Sequence, residues 1–140
     1  MGDASAEEDY ALGALGWAAT KNLPILFVVE DNNLSILTEK RVRRCWEMHD
    51  VAKSFGMSSR DLADDPFDLK EALTDAFQGP KLINVNTHRK FWHSGAGIDD
   101  ENTFDRYEKE MSLIGSKAKD IDTQSRKEVQ RAWEIQLEKQ

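Results

Sequence analysis

From Glu7 to Thr20 the apolar residues Tyr10, Ala11, Ala14, Leu15, Ala18 and Ala19 recur at helical spacing, and Asn22-Leu23-Pro24 breaks the pattern. Ile25-Leu26-Phe27-Val28-Val29 follows as a continuous β-favouring run, the pattern of a strand buried on both faces of a parallel sheet. Glu30 to Asn33 reads as a polar loop, and Leu34 to Thr38 carries no decisive pattern. Trp46 to Phe55 predicts a helix stopped at Gly56. Asp65-Pro66 opens another, which carries Phe67, Leu69, Ala72, Leu73, Ala76 and Phe77 and is stopped by Gly79-Pro80. Leu82 to Val85 is a second short buried strand, and the polar segment 86–100 after it is long enough to be functional rather than merely connecting. Phe104 to Ile114 and Ile121 to Glu138 predict two amphipathic helices, the second with Val129, Ala132, Trp133, Gln136 and Leu137 on one face.

Strands alternating with helices imply an α/β fold, a mostly parallel sheet with helices on both faces. Gly2-Asp3-Ala4-Ser5 has the character of a turn that leaves a strand and enters a helix, so a strand is expected before it and the fold reads as truncated at its N-terminus. The whole chain, 1–140, reads as a single partial domain: a front motif over 1–38, the loop at 86–100 and C-terminal helices over 103–140.

Composition narrows the partners. The formal net charge is -7, with 39% hydrophobic and 32% charged residues, which describes a foldable acidic domain rather than a disordered one. Nucleic-acid binding through a general basic surface is excluded, because Lys40-Arg41-Val42-Arg43-Arg44 is a short local cluster and reads as a solvated face. Cys45 is the only cysteine, which rules out an internal disulfide and points to a reducing, cytoplasmic setting. No apolar stretch approaches the ~18 residues of a membrane span, so no membrane partner is expected.

In an open parallel sheet, ligands sit where the βα loops converge at the carboxyl ends of the strands. Asp3 and Asn32 are separated by one helix and one strand, a single crossover unit whose two loops meet at one edge of the sheet. A carboxylate, an amide oxygen and a main-chain carbonyl beside a helix N-terminus are what Mg²⁺ carrying a diphosphate requires, and Gly2 lets the main chain approach a phosphate closely. The bland alternatives stay open at this level: Asp3 as a helix N-cap and Asn32 as a turn residue.

These residues also resemble a family. Gly2-Asp3-Ala4, the 29 positions from Asp3 to Asn32, and Glu30-Asp31-Asn32-Asn33-Leu34-Ser35-Ile36 are similar to the thiamine-diphosphate signature. The likeness is to the alpha subunit of the decarboxylating first component of the 2-oxo acid dehydrogenase complexes, and more distantly to transketolases. Ala52-Lys53-Ser54-Phe55-Gly56-Met57, Gly79-Pro80-Lys81-Leu82-Ile83 and Thr87-His88-Arg89-Lys90-Phe91-Trp92-His93-Ser94 extend it along the chain. The resemblance implies a thiamine-diphosphate-binding fold with Asp3, Asn32 and the carbonyl of Leu34 as magnesium ligands. Gly2, Ala4 and His93 then lie at the cofactor, and Arg89 and His93 take the catalytic roles of that loop. Ala4 stands where the signature more often has a second Gly, and Trp92 where the loop usually has Gly before the His.

The implied activity is oxidative decarboxylation of a 2-oxo acid with acyl transfer to a lipoyl group, together with a beta-type subunit and the N-terminal half of an alpha subunit. The chain by itself is expected to be inactive. Two alternatives are a non-catalytic truncated paralogue that self-associates as an interaction module, and a transketolase fragment. Ser94 reads as a plain loop serine or a position for regulatory phosphate. His49 and His88 read as structural, and Val129, Trp133 and Leu137 as core packing or an interface.

Overall fold

A computed structural model of the chain describes residues 1–74, 78–91, 93 and 104–139. The contacts divide it into two compact units, Met1–Phe104 and Asp105–Gln140.

In the first unit a 3₁₀ turn at Ser5–Glu7 leads into α1 (Asp9–Lys21), β1 (Leu26–Asp31), β2 (Leu34–Ser35), β3 (Thr38–Glu39), α2 (Lys40–Arg43), α3 (Met48–Ser54), β4 (Ser58–Ala63), α4 (Pro66–Thr74) and β5 (Lys81–Asn86). The expected α/β fold is present: β1, β5 and β4 lie side by side in that order, all parallel. The register sets Phe27 beside Leu82, Val29 beside Asn84 and Asp31 beside Asn86, with Ser59 and Asp61 beside Leu82 and Asn84 on the other flank. Because side chains alternate along a strand, one face carries Phe27, Val29 and Leu82, which pack with Leu15 of α1 and with Met48 and Ala52 of α3. The other face carries Ile83 and Val85, covered by Leu69 and Ala72 of α4. Helices thus lie on both faces.

Each element has a local reason. In α1 the buried positions are Ala11, Leu15 and Ala18, while Tyr10 and Ala14 face solvent; only part of the apolar set meets the sheet. The helix ends where Asn22 takes a left-handed conformation, φ 48°, and its N–H bonds the carbonyls of Ala18 and Ala19, an arrangement Asn tolerates better than a branched residue. β1 is buried on one face only, contrary to its all-apolar pattern: Val29 is fully buried, but Val28 is 36% exposed. Val28 borders a cleft of about 270 Å³ with Leu69, Leu73, Ile83 and Val85, because α4 covers the strands beyond it rather than β1 itself.

β4, Ser-Ser-Arg-Asp-Leu-Ala, has no apolar run to announce it and is an edge strand, the position where polar residues protect an open edge. The undecided segment after β1 is a two-residue-turn hairpin, Leu34 opposite Glu39 and Ser35 opposite Thr38. Its turn holds Ile36 at φ 53°, a region that disfavours a β-branched residue. The helix predicted through Ala76 and Phe77 is described to Thr74, and those two residues lie outside the described set.

In the second unit α5 (Arg106–Ile114) and α6 (Ser116–Leu137) are joined at Gly115, φ 72°. Asp105 caps α5 by accepting the N–H of Glu108 at 3.1 Å. α6 starts five residues before the expected Ile121, because helix can continue through the polar stretch Lys117–Asp120 with only Ala118 buried. Val129, Trp133 and Leu137 are exposed at 71%, 64% and 53%, so within this unit the stripe is not core. No helix among the described residues is long and apolar enough to cross a membrane.

Candidate functional site

The site begins with three residues laid along β1. Gly2 forms a parallel bridge with Glu30, the Glu30 N–H donates to the Met1 carbonyl at 2.8 Å, and the Asp3 N–H donates to the Glu30 carbonyl at 3.1 Å. The chain leading into the first helical turn therefore runs beside β1 as a neighbouring parallel strand would. This brings Asp3 to the carboxyl end of β1, next to the loop that carries Asn32 and Leu34. The convergence expected from one crossover unit is present.

Asp3 is 2% exposed, and it is not a helix N-cap: Ala4 precedes the 3₁₀ turn and Glu8 precedes α1. Its carboxylate instead accepts from the Arg43 guanidinium, and its carbonyl accepts from Arg44 Nη1 at 3.1 Å. Glu7 Oε1 receives both arginines, Arg43 Nη1 at 2.6 Å and Arg44 Nη1 at 3.1 Å. Arg44, its side chain 1% exposed, lies 3.8 Å from Asp31 Oδ2 and 4.8 Å from the centre of the Trp46 ring. Arg43 Nε, Arg44 Nε and Arg44 Nη2 are buried without hydrogen-bond partners.

Asp31 is the second buried carboxylate. Lys40 Nζ donates to it at 2.8 Å, the Asn33 N–H at 3.0 Å and Asn84 Nδ2 at 3.3 Å. Burial pushes its pKa up, but the Lys40 and Asn33 hydrogen bonds and the Lys40 charge outweigh burial and hold it below the usual 3.8. Burial pulls the Lys40 pKa down, and its hydrogen bonds to Asp31 and Glu47 reverse that and leave it above 10.5. Asn84 also donates to Asp61 at 2.8 Å, extending the polar network across the sheet.

The basic cluster is thus not a solvated face. Lys40, Arg43 and Arg44 point into the site, whereas Arg41 and Val42 face solvent. The signal in the sequence was partial: Lys40 and Arg43, at i and i+3, share one face of a helical turn, whereas Arg44 follows that turn on extended backbone. Counting only charges within 4 Å of one another, Asp3, Glu7, Asp31 and Glu47 set four carboxylates against these three cations.

Asn32 Oδ1 accepts the Leu34 N–H at 3.0 Å, a turn that Asn33 completes at φ 65°. Both Asn32 and Leu34 are half-buried. Arg89 Nη1 donates to the Ile36 carbonyl at 2.6 Å and so ties the segment after β5 to the hairpin after β1. His93 is exposed, and its side chain makes no hydrogen bond to Asp3, Asn32 or Leu34. His88 stacks edge-on against Phe104 at 5.1 Å, and His49 lies 3.9 Å from Asp61. Trp92 and Ser94 lie outside the described residues.

The donor set suits a hard cation: a carboxylate, a carboxamide oxygen and a main-chain carbonyl, all oxygen. A Cβ added at Gly2 would meet nothing within 4 Å, which leaves the main chain there open to a phosphate. The residue types therefore suit a metal diphosphate in chemistry, while Arg43 is bonded to one oxygen of the Asp3 carboxylate.

Comparison with known proteins agrees with this reading of the fold. A solved transketolase from Campylobacter jejuni subsp. jejuni NCTC 11168 matches with a TM-score of 0.56 at 18% sequence identity, over 64% of this chain and 15% of that one. The chain therefore spans about a seventh of that protein's length, and the likeness is one of fold. No curated protein sequence gives a significant match. The family model described as "Dehydrogenase E1 component" matches residues 1–136. With the match running over nearly the whole chain and the signature residues meeting at one end of the sheet, the chain belongs to the dehydrogenase E1 component family, whose members depend on thiamine diphosphate.

Proposed function

We propose that the chain is the magnesium- and thiamine-diphosphate-binding portion of a 2-oxo acid dehydrogenase. The observation that carries this reading is the pairing of residues 1–3 along β1, which sets the buried Asp3 beside the Asn32–Leu34 turn. In this reading the Asp3 carboxylate, Asn32 Oδ1 and the Leu34 carbonyl hold Mg²⁺, and the main chain at Gly2 and Ala4 faces the diphosphate. When bound, thiamine diphosphate supplies the carbanion chemistry that releases carbon dioxide from a 2-oxo acid. The chain's own residues bind and orient it. Asn84, bonded to Asp31, and Arg89, bonded to Ile36, hold the loop that presents Asn32 and Leu34. His93, exposed on the segment after β5, is the residue that would donate to the reacting substrate.

The partner in this reading is a beta-type subunit, in the cytoplasm, with the acyl group passed to a lipoyl carrier. The isolated chain does not turn over. A second reading, a relative that keeps the fold as a self-associating interaction module, draws support from Arg43, which already neutralises Asp3. Calorimetric titration of the chain with thiamine diphosphate and Mg²⁺ separates the two. Saturable, magnesium-dependent binding that is lost in Asp3→Asn is expected. A folded chain that binds nothing, or binding that survives Asp3→Asn, overturns the metal-site reading in favour of the module.

A further inference from the structure

We propose that Arg43 is a built-in counter-ion for the metal site: it holds the Asp3 carboxylate in the metal-free chain and is displaced by the divalent cation. The proposal rests on the reading of Asp3 as a metal ligand.

The first ground is electrostatic. Asp3 is 2% exposed, and an ionised carboxylate out of contact with water requires a compensating positive charge. Arg43 supplies that charge through Nη2, with its own side chain 13% exposed. A guanidinium and a divalent cation drawn to one carboxylate repel each other strongly at contact distances in a water-poor site. A divalent cation arriving at the Asp3 carboxylate therefore competes with the Arg43 bond to its Oδ2.

The second ground is that the structure provides a place for Arg43 to remain. Its Nη1 is already bonded to Glu7 Oε1 at 2.6 Å, so the guanidinium stays neutralised when Nη2 leaves Asp3. α2, which carries Arg43, is only four residues long and is flanked by extended backbone at Glu39 and Arg44, so a side-chain rotation does not disturb a long helix. Arg44 does not move with it. Its side chain is 1% exposed and fixed by the Asp3 carbonyl, Glu7 and the Trp46 ring. The two adjacent arginines thus have different roles, Arg44 as a fixed support of the main chain at Asp3 and Arg43 as the exchangeable charge.

The test uses Mn²⁺ alone as the probe, titrated into the full chain and followed by the paramagnetic relaxation of water protons. Removing a competing internal cation tightens metal binding, so Arg43→Gln is expected to bind Mn²⁺ about fivefold or more tightly than the unaltered chain. Arg43→Lys keeps the charge and is expected to stay near the unaltered affinity. Adding Asp3→Asn to Arg43→Gln is expected to abolish binding. If the unaltered chain binds, Asp3→Asn abolishes binding, and Arg43→Gln binds equally or more weakly, the counter-ion role is overturned while the metal site stands. If neither the unaltered chain nor Arg43→Gln binds, the metal-site reading fails and takes this proposal with it. A readout on the unaltered chain covers an Arg43→Gln that fails to fold. Saturation with Mg²⁺ is expected to shift the Arg43 guanidinium nitrogen resonances and leave those of Arg44 in place; an unmoved Arg43 signal overturns the proposal.

Discussion

Two ionic clusters in this protein have bonds of similar length and differ in their contact with water. At the end of the sheet, Lys40 lies 2.8 Å from Asp31, and both Asp31 and the neighbouring Arg44 have side chains 1% exposed. In the helical hairpin, Arg126 lies 2.9 Å from Asp122, and the Tyr107 hydroxyl donates to Asp122 at 2.7 Å, but the Arg126 side chain is 73% exposed. The distances alone rank the two as equals. Burial separates them: a charge removed from water depends on its partner, whereas an exposed charge exchanges its partner for solvent at little cost. Strong commitments of the chain are therefore concentrated around Asp3, Glu7 and Asp31.

The largest break in this contrast is expected from Arg44→Ala. It takes a buried donor from the Asp3 carbonyl and from Glu7, removes the positive charge beside Asp31 and removes the packing on Trp46. Breaking a buried pair from one side costs about 3–5 kcal/mol, and urea denaturation at neutral pH measures it. A loss no greater than that of a surface substitution refutes the buried assignment.

Lys40→Met is expected to cost less, about 1–3 kcal/mol at pH 7, because Asp31 keeps the Asn33 and Asn84 donors. Its pH dependence sharpens the comparison. The Asp31 pKa lies below 3.8 in the folded chain, so the pair stabilises fully above the unfolded value and its contribution is lost as pH falls through the folded one. The gap between Lys40→Met and the unaltered chain should therefore narrow below about pH 4. A gap that is constant from pH 7 to pH 3 contradicts the ion pair.

The smallest effect is expected from Arg126→Ala in α6. Its pairing with Asp122 is solvent-exposed, and the denaturation midpoint should not move measurably. A shift comparable to that of Lys40→Met would show that the hairpin cluster is shielded in solution.

The elements that the sequence displayed were those whose residues carry their own signal. Pro24 and Asn22 marked the end of α1, and Lys81–Asn86 showed itself by an apolar core between Gly79-Pro80 and a polar segment. β4 was invisible because an edge strand gains its place from hydrogen bonds to β5, which no side-chain pattern encodes. The one-sided burial of β1 was equally hidden, since an all-apolar strand reads the same whether α4 covers one of its neighbours or the strand itself. In the candidate site, the approach of Asp3 to the loop after β1 was legible from its spacing to Asn32, and the pairing of Gly2 with Glu30 is what produces it. The partners of Asp3 were not legible, because Arg43 is 40 positions away.

By itself the sequence determined the class of fold, the order of its main elements and the family signature that joins Asp3 to Asn32, because periodicity, breakers and short crossover connections are local properties of a chain. Only the tertiary structure decided where the charges of Lys40, Arg43 and Arg44 go. A basic stretch has the same local pattern whether it meets water or buried carboxylates. What distinguishes the two is the placement of Asp3, Glu7 and Asp31 around one sheet end, where burial makes a compensating charge obligatory.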